Sequence, residues 1–142
     1  MKRFRFGLEK VLELRQYHEQ ETKNELGKAI GILTGIETEI KSNQARHSQA
    51  AQERFTSLSS ADGGAGMIAW DSYILRLEQE AERLQIEAER AEAVVEEKRT
   101  LYLEASRELK VMEKLKEKRL KEHRKEMFAS ETKELDERRP VV

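Results

Sequence analysis

Cysteine is absent from this chain, which excludes disulfides and thiolate metal sites and fits a reducing compartment. Proline occurs once, at Pro140, so almost nothing interrupts a helix sterically. Aromatic residues make up 6% of the 142 positions, too few large side chains to fill a core approached from several sides. No run of about 18 apolar residues occurs, so no segment reads as a membrane-spanning helix. The segment Met1-Lys2-Arg3-Phe4-Arg5-Phe6 opens like a signal peptide, but Glu9, Lys10 and Glu13 interrupt any apolar stretch after it. An excess of one charge is missing too. The formal net charge of −1 gives no global field toward nucleic acid or anionic membrane. The expectation is a soluble, cytoplasmic protein.

What remains is a chain with 39% charged and 37% hydrophobic residues, the usage of long helices and coiled coils. The concentrated turn signal is Ser57-Leu58-Ser59-Ser60-Ala61-Asp62-Gly63-Gly64-Ala65-Gly66, with three serines and three glycines. Such residues end a helix through backbone entropy and through side chains that compete for backbone partners. The sequence therefore predicts helix one over about 4–57, a turn over 58–66, helix two over about 67–135 and a frayed tail over 136–142. The whole is one all-α domain.

Alternate steps of four and three from Trp70 reach Ile74, Leu77, Ala81, Leu84, Ala88, Ala91, Val95, Lys98, Tyr102, Ala105, Leu109 and Met112. Twelve of those thirteen positions are apolar, and Lys98 breaks the run. A seam sustained over this many heptads specifies a coiled coil. Alanine at four of the positions calls for a close-packed partner helix. Helix one carries the poorer matching stripe: Leu12, Leu26, Leu33 and Ile40 share one heptad position, and Ala29, Ile36 and Ala50 the other. Arg15, Glu19, Thr22, Asn43 and His47 interrupt it, and polar seam residues commonly set register at a cost in stability. Neither stripe is hidden alone. The prediction is a long antiparallel two-helix coiled coil, an α-hairpin with a glycine/serine-rich turn, in which helix two overhangs.

Catalytic constellations are missing. His18, His47 and His123 are far apart and lack metal-ligand spacing, and solvated helical carboxylates find no pocket to tune them. The Gly63-Gly64-Ala65-Gly66 run lacks the Lys-Ser/Thr of a phosphate-binding loop. No catalytic residue, metal or cofactor is assigned. Gly27, Gly31 and Gly35 form a small-residue stripe facing away from the seam, either tolerated weak spots or a contact face for a partner helix.

Charge is more telling. Lys114 to Lys125 carries net +5 and Arg76 to Glu97 net −5. An antiparallel turn near residue 62 brings the first basic stretch beside Lys2, Arg3 and Arg5. That basic end reads either as a solvated face or as a dock for an acidic protein surface. Interleaved glutamates and the lack of aromatic neighbours speak against nucleic acid. Phe4, Phe6, Leu8, Tyr73, Val94, Leu101 and Leu103 fall off the seam, and several should stay exposed as candidate contact anchors.

Two stretches carry a resemblance. Phe4-x-Phe6-x-Leu8-x-x-Val11-Leu12-x-x-Arg15 is similar to the opening of the FliJ family, a coiled-coil component of the flagellar type III export apparatus. Met112-Glu113-Lys114-Leu115-Lys116-Glu117-Lys118, continuing to Glu134-Leu135-Asp136-Glu137, resembles its C-terminal half. The Trp70-x-x-Tyr73-Ile74-x-x-Leu77 block after the turn also fits.

The resemblance implies a non-enzymatic protein like the central stalk, the γ subunit, of rotary ATPases. Its terminal end would enter the export ATPase hexamer and promote assembly and hydrolysis. Another part would contact the export gate membrane protein, and export chaperones would be handled as well. Matched by position, Phe4, Phe6, Leu8, Leu12, Arg15, Lys114, Lys116 and Lys118 would face the ATPase. Tyr73 and Leu77 would face the gate, although Leu77 also lies on the seam. The resemblance implies peripheral association with the cytoplasmic face of the inner membrane, through protein partners alone, and no nucleic acid. The alternative is a structural coiled-coil scaffold or oligomerisation module of another system.

Overall fold

The computed structural model describes residues 3–59 and 63–138. Its regular elements are α1 (Glu9–Ser57) and α2 (Gly63–Arg138), packed against one another without strands among the described residues. The all-α helical hairpin expected from the two stripes is what forms. Its contacts cluster in two units, each drawing on both helices: residues 1–24 with 100–142, and residues 25–99. A two-helix seam has only local neighbours, so packing need not form one continuous cluster.

In the second unit the core is a line of small and medium side chains. Ala29, Ala50, Leu77, Leu84, Ala88, Ala91 and Val95 are buried, and Leu84 has no exposed surface. The alanines hold the helices close and the leucines fill the gaps between them. Cross-helix partners run in opposite directions, Asn43 with Leu77 and Arg54 with Asp71, which is the antiparallel arrangement. In the first unit Phe6, Leu12 and Ala105 are buried, and the pairs Glu9–Lys116 and Arg15–Glu108 again run oppositely.

The seam positions inferred from spacing are buried or half-buried throughout, including the polar ones at Arg15, Glu19, Thr22, Asn43, His47 and Lys98. Long polar side chains can lay their stems along the seam and keep their heads in water. Val94, Leu101 and Leu103, displaced from the seam, are exposed.

The helix ends differ from the sequence expectation. The sequence puts the start of helix one at about residue 4, but α1 begins at Glu9. Before it, Glu9 N–H donates to the Phe6 carbonyl at 3.1 Å. Glu9 then sits in the first turn, where a carboxylate opposes the positive end of the helix dipole. The sequence puts the start of helix two at about 67, but α2 begins at Gly63, so Gly63, Gly64 and Gly66 are helical. First-turn residues need no intrahelical acceptor, and a long downstream helix propagates into them despite their poor propensity.

At the end of α1, Leu58 N–H donates to Phe55 and Ser59 N–H to Thr56, tightening the last turn. The tail expected from 136 is helical to Arg138. Met1, Lys2, Ser60, Ala61 and Asp62 of the expected turn, and residues 139–142 with Pro140 lie outside the described residues.

Candidate functional site

In the first unit the non-helical residues before α1 lie along α2. Phe4 meets His123 edge to face, with ring centroids 5.4 Å apart. The Arg119 guanidinium stands over the Phe6 ring at 5.7 Å, and Phe6 is 7% exposed. Lys116 Nζ reaches Glu9 Oε2 at 2.9 Å. Arg3, Phe4, Arg5, Phe6, Glu9 and Lys116 line a shallow concavity of about 420 Å³. A little further along, the Arg15 guanidinium donates to Glu108 at 2.6 Å.

These contacts bring the expected ATPase-facing residues into one unit but divide their tasks. Phe6 and Leu12 are buried and belong to the unit's own core, so a partner does not meet them directly. Phe4 and Leu8 are half-buried. Arg15 and Lys116 are each engaged by a carboxylate of the other helix. Lys114 and Lys118 are exposed.

In the second unit Trp70 and Tyr73 pack edge to face at 6.0 Å, and Arg76 stands 5.9 Å from the Tyr73 ring. Arg46, Gln49, Ala50, Glu53, Trp70 and Tyr73 line a groove of about 370 Å³. Leu77, expected on the same gate-facing surface as Tyr73, is 3% exposed. The period that puts it beside Tyr73 in sequence also puts it in the seam, where it packs.

The sequence pattern does not mark a second groove, of about 310 Å³. Ala29, Ile32, Ile36, Glu87, Arg90, Ala91 and Val94 line it, and Ile32 is 63% exposed. The available signal was the position of Ile32 and Val94 one step off their seams, on flanks that an antiparallel pairing brings together.

The glycine stripe faces open space: a Cβ built at Gly27, Gly31 or Gly35 meets nothing within 4 Å. His47 stands 3.3 Å from Glu78, and His18 lies on the exposed surface of α1. Among the described residues no cluster of His, Asp and Glu could hold a metal ion, and no helix is long and apolar enough to cross a membrane.

Comparison with curated proteins gives no match, and comparison with solved structures gives none either. The family profile described as "Flagellar FliJ protein" matches residues 4–139. That match takes in both terminal stretches and the whole hairpin between them. This chain therefore belongs to the FliJ family, whose members are components of the flagellar export apparatus.

Proposed function

We propose that this protein is a non-enzymatic, stalk-like subunit that binds the export ATPase hexamer and promotes its assembly and hydrolysis. It couples that ATPase to the export gate membrane protein and handles export chaperones, working in the cytoplasm at the face of the inner membrane. The observation that carries the reading is the junction of Phe4 and Phe6 with His123 and Arg119, beside the Glu9–Lys116 pair. It joins the two stretches that resemble the family into one surface, with Lys114 and Lys118 exposed on its α2 side.

Within this reading Lys114, Lys118 and the exposed edge of Phe4 make the contact with the ATPase. Phe6, Leu8, Leu12, Arg15 and Lys116 hold that end in shape. Tyr73, backed by Trp70 and the buried Leu77, forms the gate-facing surface. The test is the hydrolysis rate of the purified cognate export ATPase with and without this chain. Stimulation should be lost in K114E/K118E and kept in Tyr73→Ala, whereas Tyr73→Ala should weaken binding to the gate protein. No stimulation by the native chain, or full stimulation by K114E/K118E, refutes the assignment.

A further inference from the structure

A row of cations occupies the outermost face of α2 in the first unit. Arg107, Lys110, Lys114, Lys118, Lys121 and Lys125 follow one another at steps of three, four, four, three and four residues, and all are exposed. At 3.6 residues per turn they fall within an arc of roughly 80°. Between Arg107 and Lys125 no other residue shares that arc. The seam residues Ala105, Leu109, Met112 and Lys116 lie on the other side of the helix, so the row points directly away from α1. Exposed apolar side chains close the row at both ends: Leu103 is 46% and Phe128 72% exposed, and both fall on the same arc.

Among the described residues no ion pair engages Arg107, Lys110, Lys114, Lys118 or Lys125. Lys121 meets Glu117 loosely at 3.6 Å, with both side chains well exposed. The row is therefore a line of positive charge, with Lys121 alone loosely paired among the described residues, on a helix face of about 38 Å from Leu103 to Phe128.

We propose that this face docks on the surface of an anionic phospholipid bilayer, a direct membrane contact beyond any made through protein partners. A straight row on one side of a helix is shaped for a plane. Glu104 and Glu122 flank the arc on one side and Glu117 on the other. A partner that wraps the helix, such as a nucleic-acid groove, brings its phosphates against those carboxylates, whereas a flat surface meets the outermost arc alone. Leu103 and Phe128 have a place in the headgroup–acyl boundary, and the cations between them meet the anionic headgroups. Lys114 and Lys118 also belong to the proposed ATPase contact, so bilayer and ATPase compete for this face.

The test is sedimentation of the full chain with phosphatidylcholine vesicles, pure or with about 30% phosphatidylglycerol. Binding is expected to the anionic vesicles at low salt, and its loss at about 0.5 M salt. R107Q/K121Q/K125Q, which spares Lys114 and Lys118, should weaken it about a hundredfold. L103Q/F128Q should weaken it as well. K23Q/K28Q/K41Q removes the same charge from exposed positions of α1 and should leave it unchanged; circular dichroism confirms that each variant stays helical. Equal binding to pure phosphatidylcholine, no binding to anionic vesicles, or equal weakening by the α1 triple variant overturns the proposal. So does tighter binding to a DNA duplex at matched phosphate concentration, which assigns the row to nucleic acid.

Discussion

Asn43 donates its side-chain N–H to the backbone carbonyl of Leu77 at 3.0 Å, across the seam. Asn43 is 3% exposed and is the buried polar side chain of the described core. A helical carbonyl keeps a second lone pair after its own i+4 bond, so Leu77 can accept this bond without losing one of its own. Sliding one helix past the other breaks the bond and strands the amide in an apolar seam. The contact thus fixes register. Asn43→Leu should raise the thermal midpoint while allowing alternative registers, and Asn43→Asp should cost about 2–4 kcal/mol by burying a charge. Thermal unfolding, with crosslinking between cysteine pairs placed across the seam, reports both effects. A single register in Asn43→Leu would count against the role.

Leu84 is the most completely buried large side chain, with 0% exposure. Its neighbours along the seam, Ala81, Ala88 and Ala91, have little volume with which to fill a gap. Leu84→Ala should therefore destabilise by about 2–4 kcal/mol, more than the same change at the half-buried Leu109. Urea unfolding followed by circular dichroism compares the two. Equal losses would mean that the seam relaxes equally well at both places.

Gly27, Gly31 and Gly35 are helical, exposed and free of neighbours at the Cβ position. Alanine there meets no atom and removes backbone freedom from the unfolded chain. Each Gly→Ala change should stabilise by about 0.5–1 kcal/mol, nearly additively. The triple variant then tests purpose. If it is more stable and still supports flagellar export in cells, the stripe is a tolerated weak spot; if export falls despite greater stability, the stripe is a contact face.

The Arg15–Glu108 pair is short, but its side chains are 41% and 50% exposed. Water screens such a pair, so Arg15→Ala should cost no more than about 1 kcal/mol, and less at high salt. A double-mutant cycle with Glu108→Ala isolates the coupling. A much larger, salt-insensitive value would show that Arg15 stabilises the seam through its buried stem.

Phe6 differs from Arg15 because its ring is buried beneath Arg119, outside any helix. Phe6→Ala should cost about 2–4 kcal/mol where residues 3–8 pack on α2, and hydrogen exchange should rise at the start of α1. Exchange rising equally around Leu84 would instead mean that the two units unfold together.

Spacing alone determined a great deal. A period of 3.5 over many heptads makes a seam that has to be covered, and the short turn makes the second helix its cover, so the hairpin and its seam residues were legible. So was the basic character of the 114–125 stretch. Tertiary structure decided which of the expected contact residues a partner can reach. Leu12 and Leu77 lie on the seams that spacing marks, but Phe6 precedes them, and its burial in the contact with α2 is one that local pattern cannot express. The same holds for Asn43, whose acceptor lies on the other helix, and for Lys116, which turns inward to Glu9 while Lys114 and Lys118 stay outside. The row from Arg107 to Lys125 does not show in a net charge of −1, because summing over the chain discards direction, but it follows from the helical period. Once the seam fixes which side of α2 faces α1, the cations prove to share the opposite side.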